Sequence, residues 1–164
     1  MATLIPGSWA PDFALPGIDG RTYSLAKALR RGPTVLAFAK SECGACALAL
    51  PYLDRLHRAY VNAGCQLLGI LQDSPEDAQA FARTHRLQFP VLIDAEPWPV
   101  SRAYDPESTP TLFLVEPNGT IAWVSAGFRK AELNGLSTEM ARRLDVAPAE
   151  IAPADDGTPA FQPG

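Results

Sequence analysis

Cysteines, histidines and long apolar runs are all scarce in this sequence. Its 164 residues include only three cysteines and two histidines, too few for the dense disulfide network of a small secreted scaffold. No stretch approaches the roughly 18 consecutive apolar residues of a membrane-spanning helix. Hydrophobic residues nevertheless make up 47% of the chain and charged residues 20%. That balance predicts a single globular domain with a core of ordinary size.

A basic surface is also missing. The formal net charge is −4, and residues of either sign are interspersed, so composition gives no electrostatic basis for nucleic acid or an anionic membrane as partner. The opening M-A-T-L-I-P-G-S-W-A-P has neither the basic segment nor the long apolar segment of a secretory signal. We therefore expect a cytoplasmic protein, or a periplasmic one if a leader has been removed.

Apolar runs of strand length alternate with helical spacings along most of the chain. After a hairpin with its turn at 18–21, strands are predicted at 34–39, 65–71, 89–93, 111–115 and 120–125. Helices are predicted at 43–63, 74–85, 98–104 and 130–144. This order predicts an α/β domain over residues 1–146, with a central mixed sheet and helices on both faces. The proline-rich residues 147–164 predict a flexible or surface-draped tail, whose ending A-F-Q-P-G suggests a docking segment or a truncated continuation.

Two of the three cysteines, Cys43 and Cys46, form a C-x-x-C pair. The pair follows a strand-like apolar run and opens the longest predicted helix. The free N–H groups and partial positive charge of a helix N-terminus stabilise a thiolate there. Because one helical turn separates the two cysteines, Cys46 can attack a mixed disulfide that Cys43 has formed. The spacing predicts a redox pair with Cys43 as nucleophile and Cys46 as resolving thiol.

Two other interpretations of the pair stay open at this level. Both cysteines could be small buried residues at a helix start. The pair could also bind zinc, which would require two further ligands from Cys65, His57 and His85. However, Cys65 begins an apolar strand and is expected to be a buried small residue. The two histidines lie on predicted helices, where we expect them to face solvent, so no metal is predicted.

Five stretches carry a resemblance to a known family. They are G-S-W-A-P-D-F-A-L-P at 7–16, C-G-A-C with Pro51 at 43–51, G-C-Q-L-L-G-I-L-Q-D at 64–73, F-P-V-L-I-D at 89–94 and T-P-T-L-F-L-V-E-P-N-G at 109–119. Together they resemble the thioredoxin superfamily, in particular its TlpA-like and AhpC/TSA-like redoxin branch, over about residues 5 to 145. The resemblance implies a thioredoxin fold with an N-terminal β-hairpin extension. It also implies a βα insertion between the first helix and the strand that follows a cis-proline.

The resemblance further implies an activity and a site. The activity is that of a thiol–disulfide oxidoreductase, most simply one that reduces protein disulfides through Cys43 and Cys46. The site would include a cis peptide bond between Thr109 and Pro110 beside the cysteines, where a backbone group of Thr109 hydrogen-bonds an extended substrate. The expected partners are a disulfide-containing protein or small thiol substrate and a thiol electron donor. No cofactor is expected, and the assembly is expected to be a monomer or a weak dimer.

The surroundings of the pair depart from the thioredoxin pattern. Glu42 replaces the tryptophan that usually precedes the first cysteine, and its carboxylate would disfavour the Cys43 thiolate unless it points into solvent. Lys40 would favour that thiolate if its ammonium approached the sulfur. Ala37 stands where thioredoxins carry a buried aspartate used in proton transfer. The redox potential is therefore left open within the range of roughly −270 to −120 mV.

A peroxiredoxin-like thiol peroxidase is the main alternative, because peroxiredoxins resemble the hairpin and the F-P-V-L-I-D stretch. Their peroxidatic cysteine lies in a P-x-x-x-T/S-x-x-C frame, whereas this sequence has Leu36 and Lys40 at the proline and Thr/Ser positions. The arginine that the family places close before its F-x-x-D strand is replaced here by Thr109-Pro110. The non-enzymatic alternative is a redox-sensing module, in which oxidation of the cysteine pair changes the pose of the tail.

Overall fold

The structure, a computed structural model, describes residues 2–164. Its elements are β1 (Ala14–Pro16), β2 (Thr22–Ser24), α1 (Leu25–Arg31), β3 (Thr34–Ala39), α2 (Gly44–Tyr60), a 3-10 turn (Val61–Ala63), β4 (Gln66–Leu71), α3 (Pro75–Thr84), β5 (Val91–Ile93), α4 (Pro99–Tyr104), β6 (Thr111–Val115), β7 (Ile121–Ala126), β8 (Phe128–Arg129), α5 (Lys130–Leu144) and β9 (Phe161–Gln162). Within the described range, no helix is both long and apolar enough to cross a bilayer.

A five-stranded mixed sheet forms the centre of the molecule. Its strand order is β5-β4-β3-β6-β7. Strands β3, β4 and β5 run parallel, whereas β6 is antiparallel to β3 and β7 is antiparallel to β6. Strands β1 and β2 form a separate antiparallel hairpin. Because β3 is central and β6 runs against it, the end of β3 lies next to the start of β6.

The side chains of β3 alternate between two apolar cores, as the two-residue period of a strand requires. Leu36 and Phe38 pack with apolar residues of α1 and α4 on one face of the sheet. Val35 and Ala37 pack with residues of α2, α3 and α5 on the other. Each large side chain that is fully buried in this way contributes about 1.5–3 kcal/mol of hydrophobic stabilisation. Burial on both faces explains why the central strands are continuous apolar runs.

The predicted α/β order, with a central mixed sheet and helices on both faces, is confirmed. So are the N-terminal hairpin and the start of α3, where the Ser74 hydroxyl accepts the Asp77 N–H at 3.2 Å. Helix α1 was not predicted, because its seven residues directly follow the hairpin and are too few to show a clear period. Strands β8 and β9 were not predicted either, since each has only two residues and they pair across more than 30 positions of sequence.

Residues 147–164 are draped over the domain and contribute to its core. Ile151 and Ala152 are each only 2% exposed. The side-chain oxygen of Asn134 on α5 accepts both of their backbone N–H groups, at 3.0 and 2.9 Å. Upstream, the Tyr60 hydroxyl accepts the N–H of Ala149 at 2.8 Å. The segment is therefore docked through residues 149–152, while a domain boundary after residue 146 stays a prediction.

Candidate active site

Cys43 lies at the junction between the central strand and helix α2. It is the N-cap residue of α2, with an extended backbone (φ −139°, ψ 113°). Its Sγ accepts the backbone N–H of Cys46 at 3.1 Å. The first N–H groups of a helix have no partner within the helix, and the Cys43 sulfur at the N-cap satisfies one of them. Cys43 therefore lies at the helix N-terminus, as the sequence predicted, and its role as nucleophile stays a prediction.

The loop before β6 forms the second wall of the site. The S–H of Cys43 donates to the carbonyl oxygen of Thr109 at 3.2 Å, and the peptide bond between Thr109 and Pro110 is cis, as expected from the resemblance. Sheet register explains the contact: Phe38, near the end of β3, pairs with Thr111 at the start of β6. The fold therefore brings together two segments that are 66 residues apart in sequence.

Cys46 is buried, in contrast to the half-buried Cys43. Its side chain has 0% exposure, and both cysteines are free thiols. Burial, together with a hydrogen bond to Cys43, raises the pKa of the Cys46 thiol to about 12. The backbone of Lys40 hydrogen-bonds the same thiol and opposes part of this rise. In the reduced protein Cys46 is therefore a protonated thiol at neutral pH, which must lose its proton before it can attack.

The two predicted modulators lie on the outside of the loop. The side chains of Lys40 and Glu42 are both exposed. Neither forms an ion pair or a side-chain hydrogen bond with another residue in the range 2–164. An electrostatic influence of either side chain on Cys43 stays a prediction.

A contact that sequence reasoning missed holds the loop in place. Asp73, just after β4, accepts the backbone N–H of Ser41 at 3.1 Å, and its carboxylate also accepts the Ser41 hydroxyl. The parallel pairing of β3 and β4 was the available signal, because residues that follow the ends of neighbouring parallel strands meet at the same edge of a sheet. Ser41 and Asp73 thus fix the segment that presents Cys43.

The residues considered for a zinc site are not gathered around the pair. Thr34 pairs with Gln66 at the start of the parallel strands and Ala39 with Leu71 at their end. Cys65 precedes the start of β4, whereas Cys43 follows the end of β3. The two cysteines therefore lie at opposite ends of these parallel strands. No group of three or more His, Cys, Asp or Glu side chains suited to a metal occurs among residues 2–164.

Cys65 is the buried small residue that the sequence predicted, with 0% exposure, and burial raises its pKa to about 12. The expectation that His57 faces solvent is wrong. Its ring packs edge-on against Phe89, with 6.3 Å between the ring centroids. Its Nδ1 is buried and has no hydrogen-bond partner in the described part of the chain, and burial lowers its pKa.

Comparison with known proteins agrees with this geometry. A profile of the AhpC/TSA family matches residues 6–124. Thiol-disulfide oxidoreductase ResA from Geobacillus thermodenitrificans is 32% identical over 122 residues, which cover 74% of this chain and 69% of that protein. Thioredoxin-like protein YneN from Bacillus subtilis is 28% identical over 144 residues, covering 85% and 79% of the respective chains.

Solved structures share the fold. The crystal structure of a protein assigned as thiol:disulfide interchange protein DsbE from Chlorobium tepidum superposes with a TM-score of 0.79 and 30% identity, over 87% of this chain and 99% of that chain. The arrangement of sheet, helices and cysteine pair is therefore that of a thioredoxin fold. With the profile match over most of its length, the chain belongs to the AhpC/TSA family, in the redoxin branch of the thioredoxin superfamily.

Proposed function

We propose that this protein reduces disulfide bonds of other polypeptides, with Cys43 as the attacking thiol and Cys46 as the resolving thiol. The chain is a thiol–disulfide oxidoreductase, as its relatives and its close cysteine pair indicate. The observation that carries the assignment of roles is the asymmetry of the pair. Cys43 is half-buried and accepts a helix N–H, whereas Cys46 is enclosed and protonated.

The reaction is two successive thiol–disulfide exchanges. The Cys43 thiolate attacks one sulfur of the substrate disulfide, the substrate S–S bond breaks, and the released sulfur takes up a proton. Cys46 then loses its proton and attacks Cys43 Sγ, which releases the second substrate thiol. Two electrons pass to the substrate, and the protein is left with a Cys43–Cys46 disulfide. A dithiol donor returns the two electrons in the reverse sequence.

Burial of Cys46 suits this order of events. A thiol with a pKa of about 12 does not compete with Cys43 for the incoming disulfide. Cys46 reacts only after Cys43 has become part of a mixed disulfide, when the two sulfurs are already in contact. Because the two thiols belong to one chain, the second exchange is intramolecular. Such proximity raises the rate of a reaction step by several orders of magnitude over an encounter in solution.

The setting of the reaction follows from its direction. Reduction requires a pool of thiols to recharge the pair, so we place the protein in the cytoplasm with a thiol electron donor. We further infer a monomer or a weak dimer. Labelling of intact cells with a maleimide that cannot cross the membrane tests the compartment, since a cytoplasmic Cys43 is labelled only after the cells are lysed. Sedimentation of the purified chain tests the assembly.

A redox titration in glutathione buffers, read by alkylation and mass, tests the function. We expect one two-electron transition of an intramolecular Cys43–Cys46 disulfide, with a midpoint nearer to −270 mV than to about −180 mV. Cys43→Ser is expected to abolish disulfide reduction, and Cys46→Ser to accumulate mixed disulfides. An active Cys43→Ser variant would overturn the mechanism. A midpoint above about −180 mV would instead assign an oxidising direction.

Peroxide consumption separates this function from the peroxidase alternative. In the structure the position three residues before Cys43 holds the exposed side chain of Lys40, not a hydroxyl directed at the sulfur. We therefore expect hydrogen peroxide to oxidise the pair without rapid turnover. Consumption of peroxide that is as fast as disulfide reduction would assign the chain to the peroxidases.

A further inference from the structure

The end of the described chain lies against the same loop as the reactive cysteine. An ideal Cβ placed on Gly164 would lie 2.3 Å from the carbonyl oxygen of Thr109 and 2.7 Å from the Ser108 hydroxyl oxygen, so only a glycine fits there without movement. The same Thr109 carbonyl accepts the S–H of Cys43 at 3.2 Å. Residues 160–164, here called the C-terminal strap, thus reach the wall of the active site.

The strap is bound as an extended peptide on the edge of β8. Phe161 and Gln162 form β9, which pairs antiparallel with Arg129 and Phe128. The N–H of Lys130 donates to the Ala160 carbonyl at 3.0 Å and continues the pairing. The guanidinium of Arg129 lies 4.4 Å from the centroid of the Phe161 ring. Backbone pairing on a free edge combined with one side-chain contact is a common way for proteins to hold extended peptides.

The strap is anchored firmly upstream but held weakly itself. Upstream, the Lys130 ammonium donates to the Asp156 carboxylate at 2.6 Å and to the Pro153 carbonyl at 2.8 Å. In contrast, every residue from 159 to 164 is exposed, and the Phe161 side chain remains 47% exposed. A segment with few buried contacts opens at low free-energy cost, while its tether keeps it at high local concentration beside the site.

We propose that the C-terminal strap is an internal, displaceable occupant of the surface on which the substrate polypeptide binds. The inference rests on the proposed function, because it names the face that a polypeptide disulfide would use. That face consists of the β8 edge, the Arg129 guanidinium and the Thr109 carbonyl. It takes an extended polypeptide segment with an aromatic residue against Arg129, and such a substrate must first displace the strap. A small disulfide that needs only Cys43 does not compete with the strap to the same extent.

Two single substitutions release the strap without touching the reacting residues. Gly164→Val places a side chain where the Thr109 carbonyl already lies, and Phe161→Ala removes the ring under Arg129. Gly135→Ala is the matched control, because an added Cβ there meets no atom within 4 Å. The first assay is dithiothreitol-driven reduction of insulin, a polypeptide disulfide, compared with reduction of oxidised glutathione. The second is the rate at which Cys43 reacts with a maleimide carrying a large polyethylene glycol.

We expect both release variants to lower KM for insulin about three- to tenfold, which corresponds to a strap that leaves the face free for about 10–30% of the time. Reduction of oxidised glutathione should change by less than about twofold, and the bulky maleimide should react with Cys43 faster. Equal insulin KM and equal maleimide rates in the variants and the unchanged chain would overturn the inference. The unchanged chain and both variants could also fail to reduce either disulfide, while Cys43 still reacts faster with the maleimide in the variants. That result would overturn the proposed function but would support the inference that the strap covers the face beside Cys43.

Discussion

The backbone N–H of Cys46 donates to the sulfur of Cys43 at 3.1 Å, while the thiol of Cys46 itself is enclosed by the core. One residue thus plays two parts. Its backbone amide hydrogen-bonds the Cys43 sulfur at the start of the helix. Its side chain stays protonated until the second exchange. The two thiols are one helical turn apart and in contact, yet one is half-buried and the other is fully buried.

This asymmetry predicts the order in which the three cysteines react with iodoacetamide. At pH 8 a thiol with a pKa of about 12 is ionised in about one molecule in ten thousand, and both Cys46 and Cys65 belong to this class. We expect Cys43 to be alkylated at least about 100-fold faster than either of them in the reduced, folded protein, as read by peptide mass mapping. All three should react at similar rates in denaturant, and selective labelling of Cys46 in the folded protein would contradict the prediction.

The contact between Ser41 and Asp73 predicts a loss of activity and a moderate loss of stability. Asp73→Ala removes the hydrogen bonds from the Ser41 N–H and hydroxyl that hold the segment before Cys43. We expect kcat/KM for disulfide reduction to fall about tenfold, because small displacements of a reacting group are costly. The free energy of unfolding should fall by about 1–3 kcal/mol, as is typical when buried hydrogen bonds lose one partner.

Asp77→Ala is the control for this substitution. Its carboxylate is exposed on the first turn of α3, four residues along the chain, and it should leave disulfide reduction unchanged. An Asp73→Ala variant with full activity would show that the loop is positioned by other contacts.

The difference between what the sequence predicts and what it misses has a physical origin. The central strands are predicted well because both of their faces are buried, so a run such as T-V-L-A-F-A has few alternatives. The Ser41–Asp73 contact joins residues 32 positions apart, and neither residue type is unusual in a loop. Only the parallel register of β3 and β4 brings the two together.

The C-terminal segment shows the same limit more strongly. Its proline-rich composition correctly indicates that it forms no long helix or strand, yet composition cannot show that Ile151 and Ala152 enter the core. Their docking depends on Asn134, a side chain on α5 that offers both an acceptor and a donor to the passing backbone. Specific pairings of this kind leave no period in the sequence.

Burial of Cys65 predicts a loss of stability at alkaline pH. Its pKa is raised from 9.0 to about 12 in the folded state. The unfolded chain therefore releases this proton at a lower pH than the folded one, and stability is present below pH 9 and lost as the pH rises towards 12. By this linkage Cys65 accounts for a loss of about 2 kcal/mol between pH 8 and pH 10.5.

In Cys65→Ala and Cys65→Ser, the free energy of unfolding should fall by about this amount less between pH 8 and pH 10.5, although the absolute stabilities of the two variants differ. Chemical denaturation at each pH measures this free energy. The tyrosines and lysines titrate alike in all three proteins and cancel in the comparison. An equal fall in the free energy of unfolding with pH in the unchanged chain and both variants would contradict the prediction.

The ion pair between Lys130 and Asp156 predicts a dependence of stability on acid. A hydrogen bond from Lys130, with another from the Tyr52 hydroxyl, holds the pKa of the Asp156 carboxyl well below its usual value of 3.8. The folded protein therefore keeps this carboxylate charged at a pH where the unfolded chain has protonated it. The stabilisation is present above about pH 4 and is lost as the pH falls through the lower, folded value.

Asp156→Asn should accordingly lower the melting temperature at pH 7 and reduce its further decline between pH 5 and pH 2. We expect a decrease of about 3–6 °C at pH 7, because the ammonium of Lys130, whose side chain is only 6% exposed, loses its charged partner. Asp155→Asn is the matched control, since its exposed carboxylate forms no ion pair among residues 2–164. The measurement is thermal unfolding followed by circular dichroism between pH 2 and pH 7. If the melting temperatures of the two variants depend on pH in the same way, the Lys130–Asp156 pair does not anchor the C-terminal segment.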